Sequence, residues 1–333
     1  MKNSPLFDSK RVSLALDFDL DERHHTEEMT HAMQLISVSG VQEKFPAVVD
    51  GGKIRLARDG ERSTHILKPA PWDASLNENW QIPANEHLTM QIASQVYGIA
   101  TASNGLCSTP SGHPVYITRR FDVGPEGAKY PMEDMATLIG RSEAEGGTVF
   151  KYHGSYMEIM EAIRRYVEAW MVEMERFFEL VVFNYIYANG DAHLKNFSII
   201  RYGDDYRLSP AYDLMNTALH IHDADFALSD GLSPTLPKSD AYSRTGHPCR
   251  QDFEWFGKAS GLVEGRVGRI LDKYTFIPDK TQELVESSRL TEKLKRSYLR
   301  IVGERIVRFN RYDKDVSPRM RESGKRKVES GGR

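Results

Sequence analysis

A 333-residue chain with 40% hydrophobic, 27% charged and 10% aromatic residues has ordinary globular composition, enough to bury a core without a metal or disulfide. At about 150 residues per domain, that length suggests two domains or lobes. Two cysteines, Cys107 and Cys249, exclude a disulfide scaffold and point to the reducing cytoplasm, 44 basic against 47 acidic residues argue against a dedicated nucleic-acid binder, and no apolar run is long enough to span a membrane.

Residues 1–35 are rich in charge and histidine without a long apolar period, and read as an irregular lead-in. From Leu35 the texture changes. Two apolar-alternating runs, Phe45–Val49 and Lys53–Arg58, flank Asp50-Gly51-Gly52, which is a hairpin signal. A strand at His65–Lys68 is halted by Pro69. Pro83–Tyr97 predicts a helix, with Leu88, Ile92 and Val96 four residues apart and Gly98 as the stop. Pro114–Arg120 is a further strand.

The second half reads as mostly helical. Helices are expected at Met157–Glu175, Arg176–Ala188, Asp252–Ser260, Gly265–Tyr274 and Thr281–Arg311. Arg176–Ala188 is apolar on nearly every face, the mark of a buried helix, and stops at Asn189-Gly190. Two short strands, Phe197–Arg201 and Tyr206–Leu208, are joined by Gly203-Asp204-Asp205. Residues 312–333 are charged with little to bury and read as a disordered tail. The expected architecture is α+β: a small antiparallel β lobe over residues 36–125 and a mostly helical lobe over 126–311.

Chemistry concentrates after the apolar helix, in Asn189-Gly190-Asp191-Ala192-His193-Leu194-Lys195-Asn196, followed by a hairpin and Ala211-Tyr212-Asp213. Phosphoryl transfer needs one carboxylate to accept the proton of the attacking hydroxyl. It also needs an amide oxygen and a second carboxylate to hold Mg²⁺ against the phosphates. Asp191, Asn196 and Asp213 fit those roles in order. Taken singly, each is an ordinary loop-capping residue; the ordered set is what points to function. His193 fits a loop-holding role. Lys195 is either a charge neutraliser for the transferring phosphoryl or a solvated lysine.

Upstream, Lys68 offers a compact cation for phosphate oxygens, and Glu86 in the first turn of the 83–97 helix is placed to pair with it or simply to complement the helix dipole. Gly40 allows backbone to approach a phosphate. The Walker and G-x-G-x-x-G patterns are absent, which excludes P-loop and Rossmann readings on motif grounds. His220-Ile221-His222-Asp223 lacks the further ligands a zinc site needs and reads as a surface loop.

The Gly190–Asn196 segment resembles the catalytic loop of the HipA-like kinases, bacterial serine/threonine kinases that act as toxins in toxin–antitoxin modules. Ser37-Val38-Ser39-Gly40-Val41-Gln42-Glu43-Lys44 resembles that family's phosphate-covering loop, Thr64–Pro69 its nucleotide-binding lysine strand, and Asn85-Glu86 the start of its N-lobe helix. Arg119-Arg120-Phe121-Asp122 resembles the adenine hinge, and Glu133-Asp134-Met135 the segment after it. The resemblance covers roughly residues 36–310. It implies a two-lobed protein kinase-like fold, ATP with Mg²⁺, and nucleotide contacts from Gly40, Val41, Gln42, Lys44, Lys68, Glu86, Arg119 and Phe121.

The paired serines Ser37 and Ser39, and a length that leaves out the family's extra N-terminal subdomain, are similar to the HipT branch, in which a separate small HipS-like protein supplies that subdomain. Ser37 and Ser39 are then autophosphorylation candidates, whose added charge near Lys44 or Lys68 would compete with ATP phosphates. The same resemblance implies a HipB-like antitoxin, DNA contact only through it, and an aminoacyl-tRNA synthetase substrate. Two other classes share the loop logic: a small-molecule kinase of the aminoglycoside or phosphoinositide type, and a non-catalytic pseudokinase.

Overall fold

Turn chemistry organises the N-terminal sheet. The computed structural model describes residues 5–8, 10–20, 42–72, 75–124 and 127–311. Strands β1 (Phe45–Asp50) and β2 (Lys53–Leu56) pair antiparallel across Gly51 and Gly52, whose φ values of 54° and 78° suit residues without a Cβ. β3 (His65–Lys68) pairs with the other edge of β1. β4 (Asn104–Ser108) and β5 (Pro114–Arg119) complete an antiparallel sheet of order β2-β1-β3-β5-β4. The register sets Lys68 opposite Tyr116. α1 (Ile82–Gln95) carries Pro83 in its first turn, where the lost N–H costs nothing, and Gly98 follows at φ 70°.

Residues 5–8 and 10–20 lie across this sheet. Leu6, Phe7, Leu16 and Leu20 are buried in one cluster with Phe45, Leu67 and Ile117. Ala15 bridges to Ser108 beside β4, and His65 Nε2 bonds the Leu6 carbonyl at 2.8 Å.

A second, three-stranded sheet of β6 (Met132–Asp134), β7 (Ser198–Tyr202) and β8 (Asp205–Leu208) leads into the helical part. There α2 (Met135–Leu138) and α3 (Glu143–Gly146) are single turns. α4 (Tyr156–Tyr166) begins at a full capping box between Ser155 and Glu158. α5 (Trp170–Ile186) is the buried helix the sequence predicts, with Phe177, Phe178, Val182, Phe183 and Ile186 at 0% exposure. Burying each such side chain contributes about 1.5–3 kcal/mol. Five helices close the domain: α6 (Asp240–Thr245), α7 (Arg250–Ala259), α8 (Glu264–Asp272), α9 (Asp279–Ser287) and α10 (Glu292–Phe309). The result is the expected two-lobed α+β arrangement.

Several boundaries differ from expectation. The Met157–Glu175 helix is broken: Val167 is extended (φ −111°, ψ 124°) and buried, and the next helix starts at Trp170. The apolar period runs through the join because both helices pack on one core. Thr281–Arg311 likewise divides, because Ser288 turns extended and Thr291 caps α10 by accepting from the Leu294 N–H. β4 and β6 carry weak strand signals and form through pairing with β5 and β7. His220 is buried rather than on a surface loop. Gly40, Val41, Ser37, Ser39 and the 312–333 tail lie outside the described residues.

Candidate active site

A cleft of about 420 Å³ opens between the five-stranded sheet and the helical lobe, within the size range of small-molecule sites. Gln42, Lys44, Lys68 and Glu86 line it from the sheet side; Asp191, His193, Asn196 and Asp213 line it from the other. The structure thus gathers eight of the sequence-predicted residues around one space.

The sheet side is built on a buried ion pair. β3 delivers Lys68 and the first turn of α1 delivers Glu86, with Nζ 2.7 Å from Oε1 and both side chains almost fully buried. Lys68 also pairs with Asp213, whose other oxygen is 3.6 Å from Lys44 Nζ. Burial opposes the Lys68 ammonium, but Asp213 and Glu86 outweigh it and hold its pKa above the usual lysine range. Asp213 shows the mirror image: burial works against its charge, while Lys68 and Lys44 hold it well below the usual carboxylate range. For Glu86, burial wins over Lys68 and pushes the carboxyl up. Gln42 Nε2 donates to the Pro69 carbonyl at 2.7 Å, tying the residues before β1 to the end of β3.

Asp213 has a left-handed backbone (φ 55°), which an aspartate tolerates better than most residues. Its loop is held from three directions. Ala211 exchanges backbone bonds with Ala100 and Ala102, and Asn189 Nδ2 donates to the Asp213 carbonyl at 3.4 Å. Asn85, beside Glu86, accepts from the Asn216 N–H at 3.2 Å and donates back to the Asn216 carbonyl at 2.8 Å. With its oxygen so committed, the Asn85 amide nitrogen donates to His220 Nε2 at 2.9 Å, while His220 Nδ1 donates to the Asn77 carbonyl at 2.7 Å. That pattern needs neutral His220, and burial lowers its pKa accordingly.

Across the cleft, α5 ends at Ile186, Ala188 follows with φ 53°, and the chain turns into the Asp191 loop. Gly190 N–H donates to Thr217 Oγ1, and a Cβ on Gly190 would stand 2.4 Å from the Asp223 Cβ, so only glycine fits. Tyr156 OH donates to the Ala192 carbonyl at 3.0 Å, and Asn196 Nδ2 donates to the Asp191 carbonyl at 3.1 Å. The Phe177 and Phe197 rings meet edge-on at 5.1 Å, anchoring the loop end on α5. His193 is buried; burial, reinforced by the Lys151 charge, lowers its pKa to about 3. It is a neutral ring at any physiological pH.

Asp191 lies against a residue sequence reasoning missed. Tyr152 OH donates to Asp191 Oδ1 at 2.8 Å, and its ring meets His193 edge-on at 5.1 Å. Burial raises the Asp191 pKa, partly offset by the Tyr152 hydrogen bond and the Lys151 charge. Lys151 also lines the cleft. Lys195 instead directs its Nζ over the Phe150 ring, 5.9 Å from the centroid, and its carbonyl accepts from Tyr212 OH. Phe121 packs on Tyr212, next to Asp213, with ring centroids 5.6 Å apart. The Arg119 side chain pairs with Asp8 and is not among the cleft-lining groups.

Asn196 and Asp213 are hard oxygen donors suited to Mg²⁺. The Asn196 amide nitrogen is engaged by Asp191 O, leaving Oδ1 as its free ligand atom. No group of three or more His, Cys, Asp or Glu poised for a metal occurs among the described residues. A pair of protein ligands nevertheless matches Mg²⁺, which keeps waters and takes phosphate oxygens.

An antiparallel five-stranded sheet with a Lys–Glu pair, facing a helical lobe with an Asp-x₄-Asn loop and a second aspartate, defines a kinase-like fold. A sequence model of the HipA-like C-terminal domain matches residues 36–276. The chain belongs to that family. Among curated relatives, the putative kinases Y4mE and Y4dM of Sinorhizobium fredii are 27% identical over 253 residues and 31% over 227. These alignments cover 71% and 62% of this chain, and 54% and 51% of the relatives. The chain therefore spans about half the length of the curated relatives it matches.

Two solved structures share the fold. The HipA of the Shewanella oneidensis HipA, HipB and operator DNA complex superposes with TM-score 0.62 at 19% identity, covering 82% of this chain and 64% of that one. The Helicobacter pylori proinflammatory kinase CtkA gives 0.55 at 12% identity, covering 90% and 95%.

Proposed function

We propose that this chain is an ATP- and Mg²⁺-dependent serine/threonine protein kinase, with an N-lobe over residues 36–125 and a C-lobe over 126–311. The observation that carries the reading is the pairing of opposites in one cleft: a buried Lys68–Glu86 pair joined to half-buried Asp213, facing a half-buried, tyrosine-bonded Asp191. In this reading Lys68, with Lys44, binds phosphate oxygens. Asp191 accepts the proton of the attacking hydroxyl. Asn196 and Asp213 would hold Mg²⁺, which when bound neutralises charge on the phosphates. His193 packs its neutral ring edge-on against Tyr152 beside the loop, and Lys195 stands at its edge. Gln42 fits the loop over the phosphates, together with Gly40 and Val41, and Phe121 fits the adenine end.

We extend the proposal to the cell. Family membership, and a fold neighbour solved with HipB and operator DNA, support a cytoplasmic toxin with a HipB-like antitoxin and DNA contact through it. No helix among the described residues is long and apolar enough to cross a membrane. An aminoacyl-tRNA synthetase as substrate, a HipS-like partner and autophosphorylation at Ser37 or Ser39 belong to the same reading.

Incubating the chain with γ-labelled ATP, Mg²⁺ and bacterial lysate tests it. Label on a protein band, lost in Asp191→Ala, is the expected result. Label only on a small metabolite contradicts the protein-kinase reading, and no transfer at all leaves a binding module. Mass spectrometry of the incubated protein is expected to find phosphate on Ser37 or Ser39; both unmodified would remove the autophosphorylation claim.

A further inference from the structure

The turn Gly147–Tyr152 brings two side chains to the cleft from outside every segment that the phosphoryl-transfer template uses. The turn itself is held firmly. Ser229 N–H donates to the Tyr152 carbonyl at 2.9 Å, and Asp230 N–H donates to the Gly154 carbonyl at 3.0 Å. What it presents to the cleft is therefore set by backbone bonds to the 228–232 segment.

Tyr152 donates its hydroxyl to Asp191 Oδ1 at 2.8 Å. No other hydrogen bond reaches that carboxylate's side-chain oxygens from the described residues. A carboxylate anchored through one oxygen has the other, Oδ2, left to face an incoming hydroxyl. The anchoring also restricts rotation of the Asp191 side chain, and small misplacements of a proton acceptor cost large factors in rate. The Tyr152 ring is fixed in turn by its edge-on contact with His193.

Lys151 is the complementary element. The cleft lysines Lys44 and Lys68 are paired with Asp213, whereas Lys151 has no acid within ion-pair distance among the described residues. Burial disfavours its charged form, and Asp191 supports it. A half-buried cation without a paired anion, on the Asp191 side of the cleft, is a receptor for an anion that arrives there.

We propose that Lys151 and Tyr152 complete the transfer site: Tyr152 is a positioning residue for the Asp191 carboxylate, and Lys151 contacts the phosphoryl group in transit. This rests on the kinase reading above. In the step, the acceptor hydroxyl oxygen bonds to the γ-phosphorus as the bond to the β–γ bridging oxygen breaks. ADP leaves with that electron pair, and the hydroxyl proton passes to Asp191 Oδ2. Lys151 balances charge on the γ-oxygens while Lys68 stays with the other phosphates.

The test uses the full chain, γ-labelled ATP, Mg²⁺ and lysate proteins as acceptors, with binding of a non-hydrolysable ATP analogue and the thermal midpoint measured beside it. Tyr152→Phe keeps the ring on His193 and removes one oxygen. It is expected to lower kcat by about 10–100-fold with KM for ATP, analogue affinity and midpoint nearly unchanged. Lys151→Met is expected to lower kcat by a similar factor, and Lys151→Arg to restore most of it. Tyr152→Phe with wild-type or raised kcat overturns the positioning role. A kcat that falls only together with the midpoint and analogue affinity overturns it as well, since that is a structural effect. Lys151→Arg as poor as Lys151→Met overturns the phosphoryl contact. A wild type that transfers no label overturns the kinase reading and this inference together; an active wild type with unaffected variants overturns the inference alone.

Discussion

The two aspartates of the cleft are both half-buried, yet their surroundings drive them in opposite directions. Asp213 lies between Lys68 and Lys44 and is held ionised far below the usual carboxylate range. Asp191 accepts from the neutral Tyr152 phenol and has no ion-pair partner among the described residues, and burial, only partly offset by that bond and by the Lys151 charge, makes it more basic than an ordinary aspartate. Environments that push two like groups apart assign them different work. A permanently charged acid suits cation binding, and a more basic one suits accepting a proton. The difference comes from cations supplied by distant segments: Lys68 from β3 and Lys44 just before β1 pair with Asp213, and no such pair offsets burial at Asp191.

The cationic side can be broken first, with the largest effect on stability. Lys68→Met leaves Glu86 buried without its partner, and is expected to cost roughly 3–5 kcal/mol in urea unfolding. Adding Glu86→Leu removes the stranded acid and should recover much of that loss. A single substitution with no loss would show that the pair is not formed in solution. On the other side, Gly190→Ala forces a Cβ against Asp223 and should cost about 1–3 kcal/mol while displacing Asp191. An unchanged unfolding midpoint would contradict that close packing.

The smallest effect concerns the stitch between the lobes. His220 must be neutral to accept from Asn85, and its folded pKa lies below the ordinary value. The unfolded chain therefore binds the extra proton as pH falls below about 6.5, so stability is present above that pH and is lost below it. At pH 5.5 the ring is expected to lower stability, by at most about 1.4 kcal/mol. Urea titrations at pH 7.0 and 5.5 should show this loss, and His220→Gln should show a shallower pH slope. Equal slopes would remove His220 as the cause.

The parts of this arrangement that local chemistry dictates were legible in the chain. Asp50-Gly51-Gly52 predicts the β1–β2 turn, Pro69 the end of β3, and Gly98 the stop after α1. The all-round apolar run of Arg176–Ala188 predicts the buried helix that precedes the Asp191 loop. What tertiary contact alone decides was not legible. Val167 is extended and buried between two helices that pack on one core, so the break leaves no mark in the apolar period. His220 looked like part of an exposed His-x-His loop, and its burial follows from Asn85 and Asn77, far away in the chain. Lys151 and Tyr152 carry no motif, and their place beside Asp191 depends on bonds from Ser229. A lysine–tyrosine pair on a short turn just before the Ser155 cap is the one local signal that could have drawn notice.

The division of labour between the two aspartates is tested most directly by Asp191→Asn and Asp213→Asn, comparing label transfer from γ-labelled ATP with binding of a non-hydrolysable ATP analogue in Mg²⁺. Both variants are expected to lose transfer by about 100-fold or more. Asp191→Asn is expected to keep analogue affinity close to wild type, while Asp213→Asn loses it. Asp191→Asn transferring at the wild-type rate, or both variants losing the analogue equally, would contradict the account.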